Sequence, residues 1–479
     1  MNSSLDGETN SEPPGRKTLE AERPHRTRRW WLRNALIAGV AITGVTACAF
    51  APRILLDDEL TPDTDLRVGA VEPIPDSENC FYLLEQAHRA FQPPKGDFDL
   101  HDLIALYQGT LDREAALELG ATEGDARRVL DENASAFARL RQASLATGYL
   151  PPEPRLDGDT EFLGRHMDLA YLWSLRAREA LASGRLRAAA HDVASVVQCG
   201  RRITAGSRSI HTYLCGMAFV LVALDLTDCI QRHPDVEPAT LRGLLSALRP
   251  SAGGPDDLSA ALRGDYAILV NTLSRDKVEE ILAEGEPLPW YVYKPRRTRN
   301  RLSTEIRALI QRAEEPFEPR ARKQAQIDNE LIQKWSMYAT GNFAGELLVQ
   351  LVAAGLDKAA QQQRKLTLVI NATRLNLALR AYEIENTRLP DALEELVPAY
   401  IASVPTDPFS GQPLRYAREK RCVYSVGTDG VDRGLARPRR RQGRRHRTHV
   451  PPRCSPRGVE EEPRGGRNAP PDPPIRNSS

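Results

Sequence analysis

At 479 residues the chain has room for two or three domains, and 41% hydrophobic with 27% charged residues is the balance of a protein that buries a core. A net charge of +1 gives no global case for nucleic acid, and no nucleic-acid partner is expected. The seven cysteines are widely spaced without a Cys-x-x-Cys, which argues for scattered buried thiols over a zinc site or disulfide scaffold.

Residues 1–29 are polar and end in a basic cluster, so they are expected to form a disordered cytoplasmic arm. Residues 30–56 read as a transmembrane anchor or signal segment. Ala35 to Ala51 contains 17 residues without a charge, the short end of what spans a bilayer. Arg26, Arg28, Arg29 and Arg33 precede it, acids from Asp57 to Glu59 follow, and Trp30 and Trp31 stand where interfacial aromatics belong. Positive charge stays on the cytoplasmic side, so the expected location is the inner membrane, single-pass, with the bulk of the chain outside the cytoplasm. Three outcomes share the segment: an uncleaved anchor, a lipoprotein signal and a cleaved export signal. Val45-Thr46-Ala47-Cys48 resembles a lipobox that would carry lipid on Cys48, while Thr27 to Arg33 resembles a twin-arginine motif.

Residues 57–76 are acidic and proline-containing, the composition of a linker. From 77 to 360 the period is helical, giving a helical bundle or an irregular body of helical hairpins. Leu163, Met167, Ala170, Ala177 and Leu181 share a face, Ser183-Gly184 breaks the run, and Leu186, Ala190, Val193 and Val197 resume it. This α-hairpin resembles one tetratricopeptide unit, with no second copy at a fixed period. Leu214 to Leu224 is an apolar run closed by Asp225 and Asp228, too short to span a bilayer and expected as a core helix. "WYVYKPRRTRNRL" (290–302) offers two readings, an anion- or partner-binding patch or a connector whose aromatics pack on the bundle.

Between 361 and 432 a long helix around Leu366 to Ile384 stops before Pro390, since proline cannot continue the ladder. Asp407-Pro408-Phe409-Ser410-Gly411 has turn chemistry. Alternation at Leu414 and Tyr416, then at Cys422, Tyr424 and Val426, predicts a β-hairpin. Tyr382, Asn386, Arg388, Pro390, Leu393, Leu396, Tyr400, Val404-Pro405, Asp407 to Phe409, Gly411, Pro413, Tyr416 and Ser425 to Gly430 stand in a fixed order. In that order the segment resembles the globular part of type II secretion major pseudopilins, which implies a small α+β module. The whole chain also looks like large anchored envelope proteins ending in such a module. The resemblance further implies a calcium loop beginning at Asp429 and Asp432, although two carboxylates are far from the 6 to 8 oxygens calcium takes and no other cofactor is expected. A pseudopilin opens on its apolar helix, whereas here the matching helix follows some 300 residues of other protein, so the fold carries no fibre-forming role with it.

Residues 433–479 hold 13 Arg, 9 Pro and no Lys, a composition that cannot fold alone and that shifts as abruptly as a frameshifted stretch would. The nine histidines form no His-Glu-x-x-His pattern, and there is no Gly-x-Ser-x-Gly, Walker loop or Gly-x-Gly-x-x-Gly. His166 with Asp168 and His191 with Asp192 put acid beside base, a pattern expected on solvated helix faces. The leading functional expectation is a non-catalytic, membrane-anchored envelope protein that binds other envelope proteins or supports the envelope. The alternative is an extracytoplasmic hydrolase with dispersed catalytic residues, for which a deep carboxylate- or histidine-lined pocket would speak; a shallow apolar groove speaks for binding.

Overall fold

The computed structural model describes residues 56–69, 71–109, 121–153, 160–249, 257–289, 292–314, 341–427 and 447–449. The anchor segment with Cys48, and Asp429 and Asp432, lie outside them. The chain divides into a stretch ending at Leu56 and one compact unit from Asp57 onward.

The unit from Asp57 is mainly α-helical, as the period of its apolar residues predicts. Twelve helices are described: α1 (Cys80–Arg89), α2 (Leu100–Gln108), α3 (Glu123–Glu132), α4 (Ala134–Leu145), α5 (Glu161–Ala182), α6 (Leu186–Ala205), α7 (Ile210–Arg232), α8 (Pro238–Ala247), α9 (Asp257–Thr272), α10 (Arg275–Ala283), α11 (Pro295–Glu314) and α12 (Phe343–Asn386). The hairpin expected at Ser183-Gly184 is α5–α6, with Gly184 at φ +71°, a left-handed turn that favours glycine. Trp173, Leu169, Val196 and Ile203 bury its inner faces completely.

α6 and α7 cross with their backbones in close approach. A Cβ on Gly216 would stand 2.7 Å from the Gly200 carbonyl oxygen, and one on Gly200 would stand 2.8 Å from that of Gly216. Only two glycines let the backbones meet so closely. α7 runs 23 residues, well past the expected Leu214 to Leu224 core. Asp225 does not end it, because Arg178 of α5 pairs with that carboxylate and the helix continues. Among the described residues α7 is the one helix long and apolar enough to cross a membrane, and most of it is buried in the fold. Five cysteines are described; four are buried and Cys229 is half-buried, as scattered interior thiols.

Residues 57–67, a linker by composition, are bound along α11. Asp57 accepts the Arg296 and Arg297 backbone N–H groups at 3.0 and 2.9 Å, so a carboxylate caps the positive end of that helix. Asp58, Asp63 and Asp65 then pair with Arg297, Arg299 and Arg307 at 2.6, 2.5 and 2.7 Å. Asp63 is buried and also accepts the Tyr266 hydroxyl at 2.7 Å; Tyr266 and Arg299 together hold its carboxyl below the ordinary carboxylate range. The arginines of the 290–302 stretch are thus largely matched by acids of the same chain.

A long helix, a loop and a hairpin follow one another near the C-terminal end of the described residues. The helix is continuous with the body: α12 is one element of 44 residues, so the boundary expected near 361 falls inside it. β1 (Arg415–Ala417) pairs antiparallel with β2 (Cys422–Tyr424), Tyr416 opposite Val423. A third strand, β3 (Arg447–His449), pairs with β2 and places a short piece of the Arg/Pro-rich tail in the sheet. Asp407 is buried at the centre of the loop and accepts from Phe409 N–H at 2.9 Å, Ser425 Oγ at 2.8 Å and Val426 N–H at 3.0 Å. That carboxylate ties the turn to the strand exit. Glu383 of α12 meets Arg380 at 3.0 Å and Arg421 of the hairpin turn at 2.8 Å, fixing sheet to helix.

Gly216→Ala should lower stability by about 1–3 kcal/mol, since the added methyl meets the Gly200 carbonyl oxygen and the Thr204 backbone nitrogen, which cannot swing aside, as well as the Thr204 methyl. Chemical denaturation of the purified chain checks it, and an unchanged midpoint would show that the α6–α7 crossing relaxes freely.

Candidate binding groove

The start of α7 organises the site. Ser209 caps the helix, its Oγ accepting the Thr212 N–H at 3.3 Å. α9 presses against the preceding turn so closely that a Cβ on Gly264 would stand 2.0 Å from the Arg208 carbonyl oxygen. That contact brings the next residue, Asp265, to the helix start, where its Oδ2 accepts the Ile210 N–H at 3.0 Å. Leu258, Ala261, Leu262 and Asp265 fall on one face of α9, and all four are buried. Burial pushes the Asp265 carboxyl up to about 7, with the Ile210 N–H working against it.

Beside Asp265 opens a groove of about 680 Å³, walled by the starts of α5 and α7, by α9 and by α12. Its lining is mostly apolar, with Phe162, Leu163, Ile268, Leu351 and Leu356 prominent, while Arg165, Arg208, His211 and Lys358 supply polar groups. Leu269 and Val352 also line a second, mostly apolar cavity of about 190 Å³ between α9 and α12, with Thr272 in its wall, so the apolar surface continues along α12. Leu351 is 74% exposed, and Leu347 one turn earlier is exposed too, so α12 presents apolar side chains to solvent beside the groove.

Next to the groove lies a fully buried imidazole. His166 touches the edges of Phe81 and Phe162 at ring separations of 5.6 and 5.5 Å, and its Nε2 is 3.3 Å from Glu85 Oε1. Burial pushes the His166 pKa down. His166 and Arg165 hold the Glu85 carboxyl down to about 2. This acid–base pair is an interior contact, where His166 beside Asp168 had suggested a solvated face. Asp168 instead lies 3.7 Å from His88. Asp192, expected on a solvated face with His191, is likewise buried, held by Arg176 and by Trp173 Nε1 at 3.3 Å; His191 is exposed.

Of the 290–302 stretch, Trp290 and Tyr291 lie outside the described residues. Tyr293 is buried and donates its hydroxyl to the Leu273 carbonyl at 2.7 Å, the packed-connector reading. No group of three potential metal-donor side chains gathers among the described residues. Asp265 carried no motif. Its signal was a carboxylate on the apolar face of a helix, four residues after Ala261 and seven after Leu258. The chain matches no family model, no curated protein and no solved structure.

Because Asp265 keeps its proton in the folded state at pH values where the unfolded chain has lost it, stability should fall as pH rises from about 4 to about 7 and flatten above. The gap between about 7 and the ordinary 3.8 bounds this loss at about 4 kcal/mol. Asp265→Asn keeps an oxygen for the Ile210 N–H and removes the titration. The variant's melting temperature should therefore gain on the parent's across that window, and parallel curves would show that Asp265 ionises freely.

Proposed function

We propose that the chain is a membrane-anchored envelope protein whose helical unit binds an apolar or amphipathic guest and performs no chemistry of its own. The observation that carries this reading is the groove: about 680 Å³, mostly apolar, open, and walled by helices locked to one another. Sites of that size and character hold ligands through apolar area, with a few polar groups fixing orientation. The Ser209 hydroxyl in its wall is committed to the cap of α7 and meets Thr212 Oγ1 at 3.1 Å, which disfavours it as a nucleophile.

The membrane part rests on the uncharged run from Ala35 to Ala51 and its basic and aromatic flank. The pseudopilin resemblance is supported by the arrangement of α12, the Asp407 turn and the β1–β2 hairpin. In this reading the module is a borrowed, helix-braced cap, and other envelope components are the partners.

Gly355 of α12 lines the groove, and a Cβ there meets nothing within 4 Å. Gly355→Trp should fill the groove and abolish fluorescence enhancement of the apolar probe N-phenylnaphthylamine. Melting should be unchanged or slightly raised, since leaving glycine in a helix contributes about 0.5–1 kcal/mol. Equal probe binding by parent and variant would sink the groove as a binding site. Alkaline phosphatase fused after residue 60 should be active in cells; an inactive fusion beside an active cytoplasmic reporter would overturn the orientation.

A further inference from the structure

The groove holds one carboxyl well inside its apolar lining, and among the described residues no cation pairs with it. Asp265 is 8% exposed, its Oδ2 takes the Ile210 N–H at 3.0 Å, and among the described residues no arginine, lysine or histidine forms an ion pair with it. The cations that share the lining are placed differently. Arg165 is matched by Glu85 at 3.0 Å, Arg208 is half-buried, and His211 and Lys358 are exposed. Charges facing water are screened, whereas a carboxylate in an apolar wall acts through a low local dielectric. The interior carboxyl therefore selects the ligand's head group more strongly than the paired or solvent-facing cations do. A buried carboxylate without a partner is also costly to keep. A guest that donates hydrogen bonds to it and lays hydrocarbon along Leu163, Ile268 and Leu356 satisfies both features of the site.

We propose that the groove takes amphiphiles with a protonated amine head, the ammonium donating to Asp265 and the hydrocarbon lying between α5, α9 and α12. Both an alkylamine and an amine-bearing lipid have this chemistry. The assignment rests on the reading of the groove as a binding site.

Full-length protein in phosphatidylglycerol nanodiscs, with empty discs subtracted, is titrated calorimetrically with octylamine, octanol and octanoate. Octylamine should bind at least ten-fold tighter than octanol, and octanoate weakest. Asp265→Asn should remove the octylamine advantage and leave octanol unchanged. A dispersion of amine lipid should compete with octylamine if the natural guest is a lipid, and fail to compete if it is a free amine. Equal affinity for octylamine and octanol in the parent protein overturns the head-group assignment while keeping the groove, and needs no variant to fold. Tighter octanoate binding also overturns it and gives the selection to Arg165, Arg208 and Lys358. Binding of none of the three overturns both the assignment and the groove reading beneath it.

Discussion

The contact on which the rest of the unit depends is the backbone crossing of α6 and α7 at Gly200 and Gly216. Helices that pack through ordinary side chains lie about 8–10 Å apart. Here each glycine puts its carbonyl oxygen where the other's Cβ would be, 2.7 and 2.8 Å away, so no larger pair fits. The crossing sets how far the turn after α6 can travel before α7 begins. It therefore sets where Ser209, Ile210 and, through Gly264, Asp265 meet. Interiors are close-packed and transmit strain, so a shift there would reappear at the groove.

The sequence made local features legible and long-range pairings illegible. The α5–α6 hairpin could be read because its apolar residues repeat at the helical period and Ser183-Gly184 interrupts them. The β1–β2 hairpin could be read because alternation and turn residues are local. The length of α7 could not, because Asp225 looks like a stop signal until Arg178 is found beside it. The clasp of Asp57, Asp58, Asp63 and Asp65 on α11 joins residues about 240 apart in sequence. Each half reads by itself as an ordinary charged stretch, one a linker and the other a basic patch. His166 and Asp192 misled for the same reason, since an ionisable group is solvated or buried according to partners on other helices. Asp265 was the exception, because its place on an apolar face could have marked it.

Energetics explains how such a carboxylate persists. Burial alone would drive the proton on, and among the described residues no cation pairs with Asp265 to prevent it. What stands against burial is the start of α7, where the Ile210 N–H and the helix dipole both favour negative charge. The balance leaves the group near neutrality's edge, at about 7, and so able to answer a modest change in its surroundings. Glu85 shows the contrary outcome at close range: with His166 and Arg165 as partners it is held at about 2 and stays ionised. Two carboxyls beside one groove thus have opposite characters, set by their neighbours.

The rigid passage at Asp407-Pro408 owes only half of its role to proline. An isolated two-stranded hairpin is marginal in water, so this one must borrow stability. Asp407 supplies it from within the loop, gathering Phe409, Ser425 and Val426 onto one buried carboxylate, while Glu383 and Arg421 clamp the hairpin's turn to α12. The helix so braced is the one whose other half walls the groove. At 44 residues it is about 66 Å long, and Leu351 to Ala359 face the groove while Leu368 to Glu383 carry the sheet. A continuous helix bends gently unless proline, glycine pairs or a bulge intervene. No proline interrupts α12. The module therefore cannot be an independent domain on a tether. Whatever docks on the hairpin acts on the same rod that forms the groove wall, and a guest that pushes Leu351 or Leu356 aside pushes on the helix that carries the sheet.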